Sequence, residues 1–296
     1  MKTPPRSLRK KFVLKFAPKL SATLTMNKYV KTWLVPRDLD SGRETPFVPT
    51  QRLGHDGIDM RVPEQIERLE RWRSSYLPVF KALREDPAVN TWYPGRDYLH
   101  NGGYPTPDAE VYAAMILDYR PRNIIEIGGG FSTIIARKMI TQLGAECGLL
   151  VIDPEPRTDI EEVADSILYS LVEDVDPSRL PLGERTLVFV DSSHVTRPGG
   201  DIPFLYNRLL PALPSGTLVH VHDVYIPYEY PWDCRKWLFS EQYVLQALLA
   251  HSPRHRVALA THFLTREHPG PMRATFGDIV GRDDLHYGSS LWFEVV

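Results

Sequence analysis

Several apolar, largely β-branched runs in this chain end in residues that can bind hydroxyls or move protons. Glu126 closes one such run. Leu150-Val151-Ile152 ends at Asp153, and Ser170-Leu171-Val172 at Glu173 and Asp174. Phe189-Val190 ends at Asp191, with Ser192, Ser193 and His194 next, and His220-Val221 ends at His222 and Asp223. In an open α/β sheet, ligands sit at the C-terminal ends of the strands, so these groups would share one rim. Any single acid there is as readily a helix cap or a turn former, but acids at successive run ends ask for a ligand. Asp153 lies 23 residues beyond Gly130, about where an acid reaches the hydroxyls of a ribose. Glu173 or Asp174, or the backbone beside them, could hydrogen-bond an adenine amino group. An imidazole with its ordinary pKa near ~6.5 can take a proton from a hydroxyl at neutral pH, which makes His194 and His222 the candidate bases. His220 shares a strand face with His222 but lies deeper, and reads as structural.

The first of these runs continues into Gly128-Gly129-Gly130-Phe131-Ser132-Thr133, where a helical pattern begins (Ile134, Ile135, Met139, Ile140). A strand, a glycine turn and a helix N-terminus in series let backbone press against a ligand, because no Cβ stands in the way. A dinucleotide site wants G-x-G-x-x-G; Gly128 and Gly130 fit, but Thr133 stands where the third glycine belongs. An S-adenosylmethionine (SAM) site wants an acid followed by G-x-G and needs no phosphate cradle. The order Glu126-Ile127-Gly128-Gly129-Gly130 resembles motif I of the class I SAM-dependent methyltransferases.

The elements that must position these residues follow from pattern. Strands are expected at 123–127, 149–152, 167–171, 186–190, 217–222, 256–263 and 289–295, and helices at about 132–144, 156–165, 202–212 and 235–251. Nearly all-apolar runs such as Thr186–Val190 suit a parallel sheet covered on both faces. Ahead of the glycine turn, 63–86 reads as one helix opened by Pro63, 91–107 as an aromatic loop with Trp92, Tyr93, Tyr98, His100 and Tyr104, and Pro107 to about Tyr119 as a helix. The last two strands, with only an irregular connector between them, suit an antiparallel pair at a sheet edge.

With 296 residues the chain can bury a sizeable core. A net charge of −2 argues against a general nucleic-acid binder. Cys147 and Cys234, far apart and without a C-x-x-C, make neither a zinc site nor a disulfide framework and point to a reducing, cytoplasmic setting. No apolar run approaches the ~18 residues of a membrane span. From Met1 to Pro36 there are nine Lys and Arg and no acid. That stretch reads as a solvated basic arm, or as a surface helix touching anionic lipid or a partner. The organisation expected is an arm and connector over 1–62, then a domain over 63–296 with a helical lead-in over 63–120.

The second half makes the resemblance more specific. Asp191-Ser-Ser-His194, Gly200-Asp201-Ile-Pro-Phe204 and the loop His220-Val-His-Asp223 through Pro227 to Tyr230-Pro231 resemble a methyltransferase 24-like subgroup of the class I enzymes. So do Ser240-Glu-Gln-Tyr243 and Ser289-Ser-Leu-Trp292. The likeness spans roughly 90–296. It implies a Rossmann-like, seven-stranded, mostly parallel α/β sheet with helices on both faces and an antiparallel last strand. It implies SAM as cofactor, with Glu126, Gly128, Gly129, Gly130, Ser132 and Thr133 at its amino-acid and ribose part, Asp153 on the ribose diol and Glu173 or Asp174 near adenine. Asp191, His194, His222 and Asp223 would frame the acceptor, Asp191 also bordering the cofactor. Related sugar and catechol methyltransferases hold Mg²⁺ with carboxylates from the fourth and fifth strand ends, where Asp191 and Asp223 stand here. The expected activity is O-methylation of a small-molecule or glycan hydroxyl. Two alternatives stay open, an NAD-linked oxidoreductase and a non-catalytic module of the same fold; self-association is left open too.

Overall fold

The computed structural model describes residues 57–231, 237–278 and 288–296, together with Arg52, Gly54, Cys234 and Val280. The basic arm of 1–36, most of the connector, and Trp232 lie outside the described residues. Seven strands form one sheet: β1 Asn123–Ile127, β2 Gly148–Ile152, β3 Ser166–Leu168, β4 Thr186–Val190, β5 Leu218–Val221, β6 His255–Ala260 and β7 Leu291–Val295. Their order is β3-β2-β1-β4-β5-β7-β6. β1 to β5 pair in parallel, and β7 inserts antiparallel between β5 and β6. This is the Rossmann-like arrangement of the class I methyltransferases, as expected. In register, Ile127 faces Ile152 on one side and Val190 on the other. The glycine turn, Asp153 and Asp191 therefore leave the sheet at one level.

Burial explains the central strands. Every residue of β4 and β5 is buried, as are four of the five in β1. Helix Asp108–Tyr119 buries ten consecutive residues, Asp108 to Leu117. It packs against helix Phe131–Leu143, which opens directly from the glycine turn. A helix apolar nearly all round belongs in the interior, and this one carries Asp108 and Tyr112 inward with it.

Several elements depart from the sequence expectation. The helix over 63–86 is two helices, Val62–Ser75 and Leu77–Glu85. Pro78 has no N–H to donate and restarts the helix, while Tyr76 at the break donates its hydroxyl to Asp118. The helix over 156–165 does not form. Around Pro154 and Pro156 the backbone amides of Glu155 and Glu161 donate to the Asp153 and Asp159 side chains, competing with helical bonds, and Ile160 alone anchors a single turn. The strand over 256–263 stops at Ala260 because Thr261 turns into helix Thr261–Glu267. β3 is likewise short, giving way to a 3₁₀ turn at Val172–Asp174. The helix over 202–212 is present as Asp201–Phe204, a π-helical stretch Leu205–Leu209 and a last turn Leu210–Ala212. That over 235–251 is described as Glu241–His251.

Candidate active site

The glycine turn is built by three glycines with three different constraints. Gly128 sits at φ 94°, donates its amide to Ile152 O, and lies so near β4 that a Cβ there would stand 2.0 Å from the Asp191 carbonyl oxygen. Gly129 donates to Asp153 Oδ2 at 2.8 Å. A Cβ at Gly130 would meet nothing within 4 Å, so its open side is where a ligand can approach. Thr133, in the place of a dinucleotide fold's third glycine, accepts from the Gly130 amide at 3.1 Å and donates to Glu126 Oε2.

Glu126 is fully buried beneath this turn. Tyr112 donates to its Oε1 at 2.9 Å and Ser132 adds a further hydrogen bond. Burial pushes its carboxyl up to about 7 against the pull of Thr133 and Tyr112. It braces the turn from below. Asp153 holds the Gly129 amide with one oxygen and the Glu155 amide with the other. Glu126, Gly128, Gly129, Gly130, Ser132, Thr133 and Asp153 thus form one assembly. Glu173 instead pairs with Arg197 at 3.3 Å, and Asp174 is exposed beside it.

On the other side of Gly128 is the second cluster. Asp191 donates its amide to Ile127 O at 2.8 Å, and its side chain points among His194, His222 and Asp223. His194 Nε2 is 3.1 Å from Asp191 Oδ1 and 3.7 Å from Asp223 Oδ2. His222 Nδ1 is 3.6 Å from Asp191 Oδ1 and 3.8 Å from Asp223 Oδ1. The two imidazoles are buried, whereas the Asp191 and Asp223 side chains are 26 % and 27 % exposed. The carboxylates form the mouth and the imidazoles the floor. His194 and Asp223 both adopt left-handed backbone, φ 58° and 53°. Neither is glycine, and two such residues on one cluster mark a place where surrounding structure enforces strain, on the order of 1–3 kcal/mol each.

The supports are residues the sequence did not single out for the site. Asp201 takes the Ser193 amide at 2.8 Å and the Ser193 hydroxyl at 2.7 Å, fixing the turn that aims His194. Four consecutive residues opening helix Glu241–His251 then act in turn. The Ser240 and Glu241 amides donate to the His194 carbonyl, and Ser240 Oγ accepts from Thr196 N. Glu241 Oε2 is 2.8 Å from His194 Nδ1, with Tyr206 donating to its other oxygen. Gln242 holds Tyr225 N and Tyr228 O, and Tyr243 donates to Glu229. The resemblance covered the Ser240–Tyr243 motif; only the structure shows what it grips.

Behind His222, Asp108 Oδ2 lies 3.6 Å from Nε2 while accepting from Ser289 N, and its other oxygen accepts from Thr261. Asp108 carried no signal beyond its place at a helix start. His220 is structural, as expected, lying 2.9 Å from Ser290 Oγ and stacked on Phe189 at 4.2 Å. Tyr104 of the aromatic loop is buried edge-on against His222, with ring centroids 4.9 Å apart.

Charge follows from this packing. Burial would lower the His194 imidazole, but Asp191 and Glu241 outweigh it and push it up to about 10. Burial is likewise overcome at His222 by Asp223, Asp191 and Asp108, which hold it well above the ordinary histidine value. Burial would raise the Asp191 carboxyl, but the two histidines keep it well below the usual carboxylate range. With nothing else bound, the floor is therefore cationic at neutral pH, and neither imidazole is free to take a proton. As for Mg²⁺, Asp191 and Asp223 do converge, together with His194. Mg²⁺ prefers oxygen ligands and keeps several waters, whereas this group offers two carboxylates and an imidazole nitrogen, a donor set less suited to it.

No family model matches the chain. An uncharacterized protein of Archaeoglobus fulgidus is 42% identical over 82 residues, which are 27% of this chain and 34% of that protein, so the match spans about a third of the relative's length. Among solved structures, the SAH-bound methyltransferase PaMTH1 of Podospora anserina is 16% identical, covering 79% of this chain and 88% of that one, with a TM-score of 0.43. The O-methyltransferase TomG of Streptomyces achromogenes in complex with SAM is 18% identical over 77% and 98%, TM-score 0.38. An O-methyltransferase of Bacillus cereus in complex with SAH is 15% identical over 78% and 90%, TM-score 0.40. Among the described residues no helix is long and apolar enough to cross a membrane.

Proposed function

We propose that this protein transfers the methyl group of SAM to a hydroxyl of a small-molecule or glycan acceptor. The observation that carries the reading is the sharing of Asp191 between two sites. Its carbonyl abuts Gly128 of the glycine turn, while its carboxylate enters the Asp191, His194, His222 and Asp223 cluster. A cofactor lying over Gly130, with Asp153 on its ribose, would end beside a polar cluster open through two carboxylates. Methyl transfer from a sulfonium is an in-line displacement in which positioning is the protein's main contribution. Thr133 favours this reading over a dinucleotide, because its hydroxyl ties the turn to Glu126 where a pyrophosphate would need glycine.

In this scheme the acceptor hydroxyl donates to Asp191 or Asp223 at the mouth. As the new C–O bond forms, the hydroxyl proton becomes strongly acidic, so even a carboxylate held at low pKa can take it late in the displacement. The cationic imidazoles beneath keep Asp191 ionised and oriented for that step. Tyr225 to Tyr230, pinned by Gln242, stand as a wall of the acceptor side.

The test is a thermal shift with SAH, SAM and NADH, on the native protein and on Asp153→Ala. A ligand at 100 times its Kd stabilises by ~2.7 kcal/mol. Stabilisation by SAH and SAM but not NADH, weakened in Asp153→Ala, is expected. Stabilisation by NADH alone would overturn the assignment.

A further inference from the structure

We infer that the aromatic loop ahead of helix Asp108–Tyr119 is a sugar-stacking subsite for the acceptor, with Trp92 as its platform. The inference deepens the methyl-transfer reading and rests on it for what happens to the sugar, though not for the sugar's capture. Three consecutive residues fix where the loop lies. A Cβ on Gly102 would stand 2.8 Å from the Trp92 indole and one on Gly103 would stand 3.8 Å from the Phe131 ring, while the Tyr104 ring lies 4.9 Å from that of His222. Phe131 directly follows Gly130 of the glycine turn, and His222 belongs to the cluster around Asp191. One short stretch of chain thus joins the indole to both halves of the site. With successive Cα atoms 3.8 Å apart, these contacts keep the indole within roughly 13 Å of the Phe131 ring.

The loop is built around two buried side-chain amides. Asn90 Nδ2 stands 2.8, 2.7 and 2.9 Å from the carbonyl oxygens of Arg84, Tyr93 and Tyr98, and its Oδ1 accepts from the His100 amide at 2.9 Å. Asn101 donates to Val89 O at 3.0 Å and accepts from the amides of Gly103 and Tyr104 at 3.1 and 2.7 Å. The Trp92 amide donates to His100 O at 3.1 Å. Yet this pinned loop sends Trp92 and Tyr93 to the surface, 58 % and 42 % exposed. Fixing a loop costs conformational entropy, and a loop already fixed with large aromatic side chains in water leaves little of that cost to the binding step. The His100 imidazole stacks on Trp92, with ring centroids 4.4 Å apart and planes 13° from parallel. It backs one face of the indole and sets its plane, so the exposed area of Trp92 is mainly the other face.

A single open aromatic face suits a pyranose ring. One side of such a ring carries C–H groups whose partial positive charge meets the negative face of the indole. Its hydroxyls point outward, to water and to acceptors such as the Asp191 and Asp223 carboxylates at the mouth. A flat aromatic acceptor gains most from a pocket that takes both of its faces out of water, and Trp92 and Tyr93 offer no such enclosure.

The test applies full-length protein to a printed glycan array, wild type beside Trp92→Ala and Trp92→Phe. The wild type is expected to hold a defined set of glycans. Trp92→Ala should weaken the best of them about tenfold by calorimetry, and Trp92→Phe, which keeps a ring, should retain most of the affinity. Tm and SAH affinity of each variant report that the fold and the cofactor side are intact. Glycan capture that depends on Trp92 supports the subsite whether or not SAH binds, whereas SAH binding by itself bears on the methyl-transfer reading, so the two can fail separately. No glycan held by the wild type, or one held equally well by Trp92→Ala, would overturn the inference. So would Trp92-dependent binding of catechol tighter than that of any arrayed glycan, which would mark an aromatic acceptor. A wild-type dimer that Trp92→Ala splits into monomers would overturn it too, since a second copy would then be what covers the indole.

Discussion

Replacing Gly128 and Gly130 separately by alanine should split the two duties of the glycine turn. At Gly128 a Cβ would stand 2.0 Å from the Asp191 carbonyl oxygen, and real Cβ atoms essentially never come within 3.0 Å, so the strand ends must part by about 1 Å. The obstacle is backbone and cannot rotate away. The two bonds most exposed to that movement are Gly128 N to Ile152 O and Asp191 N to Ile127 O, at 3.0 and 2.8 Å. Forcing a side chain into left-handed backbone, where Gly128 has φ 94°, costs about 1–2 kcal/mol. Overpacking adds about 1–3 kcal/mol. A combined loss near ~3 kcal/mol lowers Tm by roughly 6–12 °C for a domain of this size. At Gly130 the backbone is extended and a Cβ meets nothing within 4 Å. Gly130→Ala should leave Tm within about a degree or two, since a surface change of this kind is worth roughly ±0.5 kcal/mol. It should nevertheless weaken SAH binding at least tenfold, because the methyl group enters the space open to the cofactor. Differential scanning fluorimetry gives the first quantity and isothermal titration with SAH the second. The reasoning fails if Gly128→Ala melts with the wild type, or if Gly130→Ala loses stability while keeping its SAH affinity.

Three further outcomes can be checked. The native state keeps the Glu126 proton up to about pH 7, whereas an unfolded chain releases it near ~4.3. Between those values the native state binds more protons, so this group lowers stability as pH rises, by on the order of 3 kcal/mol in all. Urea midpoints at pH 5 and 7.5 should therefore differ less in Glu126→Gln than in the wild type, and an unchanged difference would contradict the burial argument. Asp201→Ala leaves the Ser193 amide without its acceptor, costing about 1–3 kcal/mol. It should cut methyl transfer while SAH affinity holds, and a matching loss of SAH affinity would show that the His194 turn also shapes the cofactor side. Trp72→Ala empties a fully buried position and removes the 2.6 Å bond to Asp118. It should cost about 3–5 kcal/mol without touching ligand binding, which chemical denaturation alongside SAH titration will show.

Much of this molecule is legible in its sequence because hydrophobic period and strand-end chemistry are local signals. β1 and β4 begin and end where the apolar runs do, and Asp191, His194, His222 and Asp223 meet because parallel strands in register must present their ends together. What sequence could not supply was the second side of each contact. Asp108 and Glu241 look like ordinary first-turn acids; they face His222 and His194 only because two helices distant in sequence dock at the same rim. Glu126 reads as ligand-facing by its place beside the glycines, yet Tyr112 and Thr133 claim both its oxygens, and that depends on how helix Asp108–Tyr119 packs. The missing helix at 156–165 failed for the opposite reason. Its apolar spacing was adequate, but the Asp153 and Asp159 side chains bind the backbone amides first.

The opening turn of helix Glu241–His251 has a consequence for anyone who would redesign this protein. Ser240 and Glu241 set the orientation of His194, while Gln242 and Tyr243 hold the aromatic segment from Tyr225 to Tyr230. Under the function proposed above, one rigid piece carries both His194 and the wall that an acceptor would meet. Selectivity and reactivity are not separate modules here. A loop exchanged to admit a bulkier acceptor will tilt the helix start and with it the imidazole, so libraries that vary 225–230 alone should trade turnover for scope. Varying 240–243 together with the loop offers the escape.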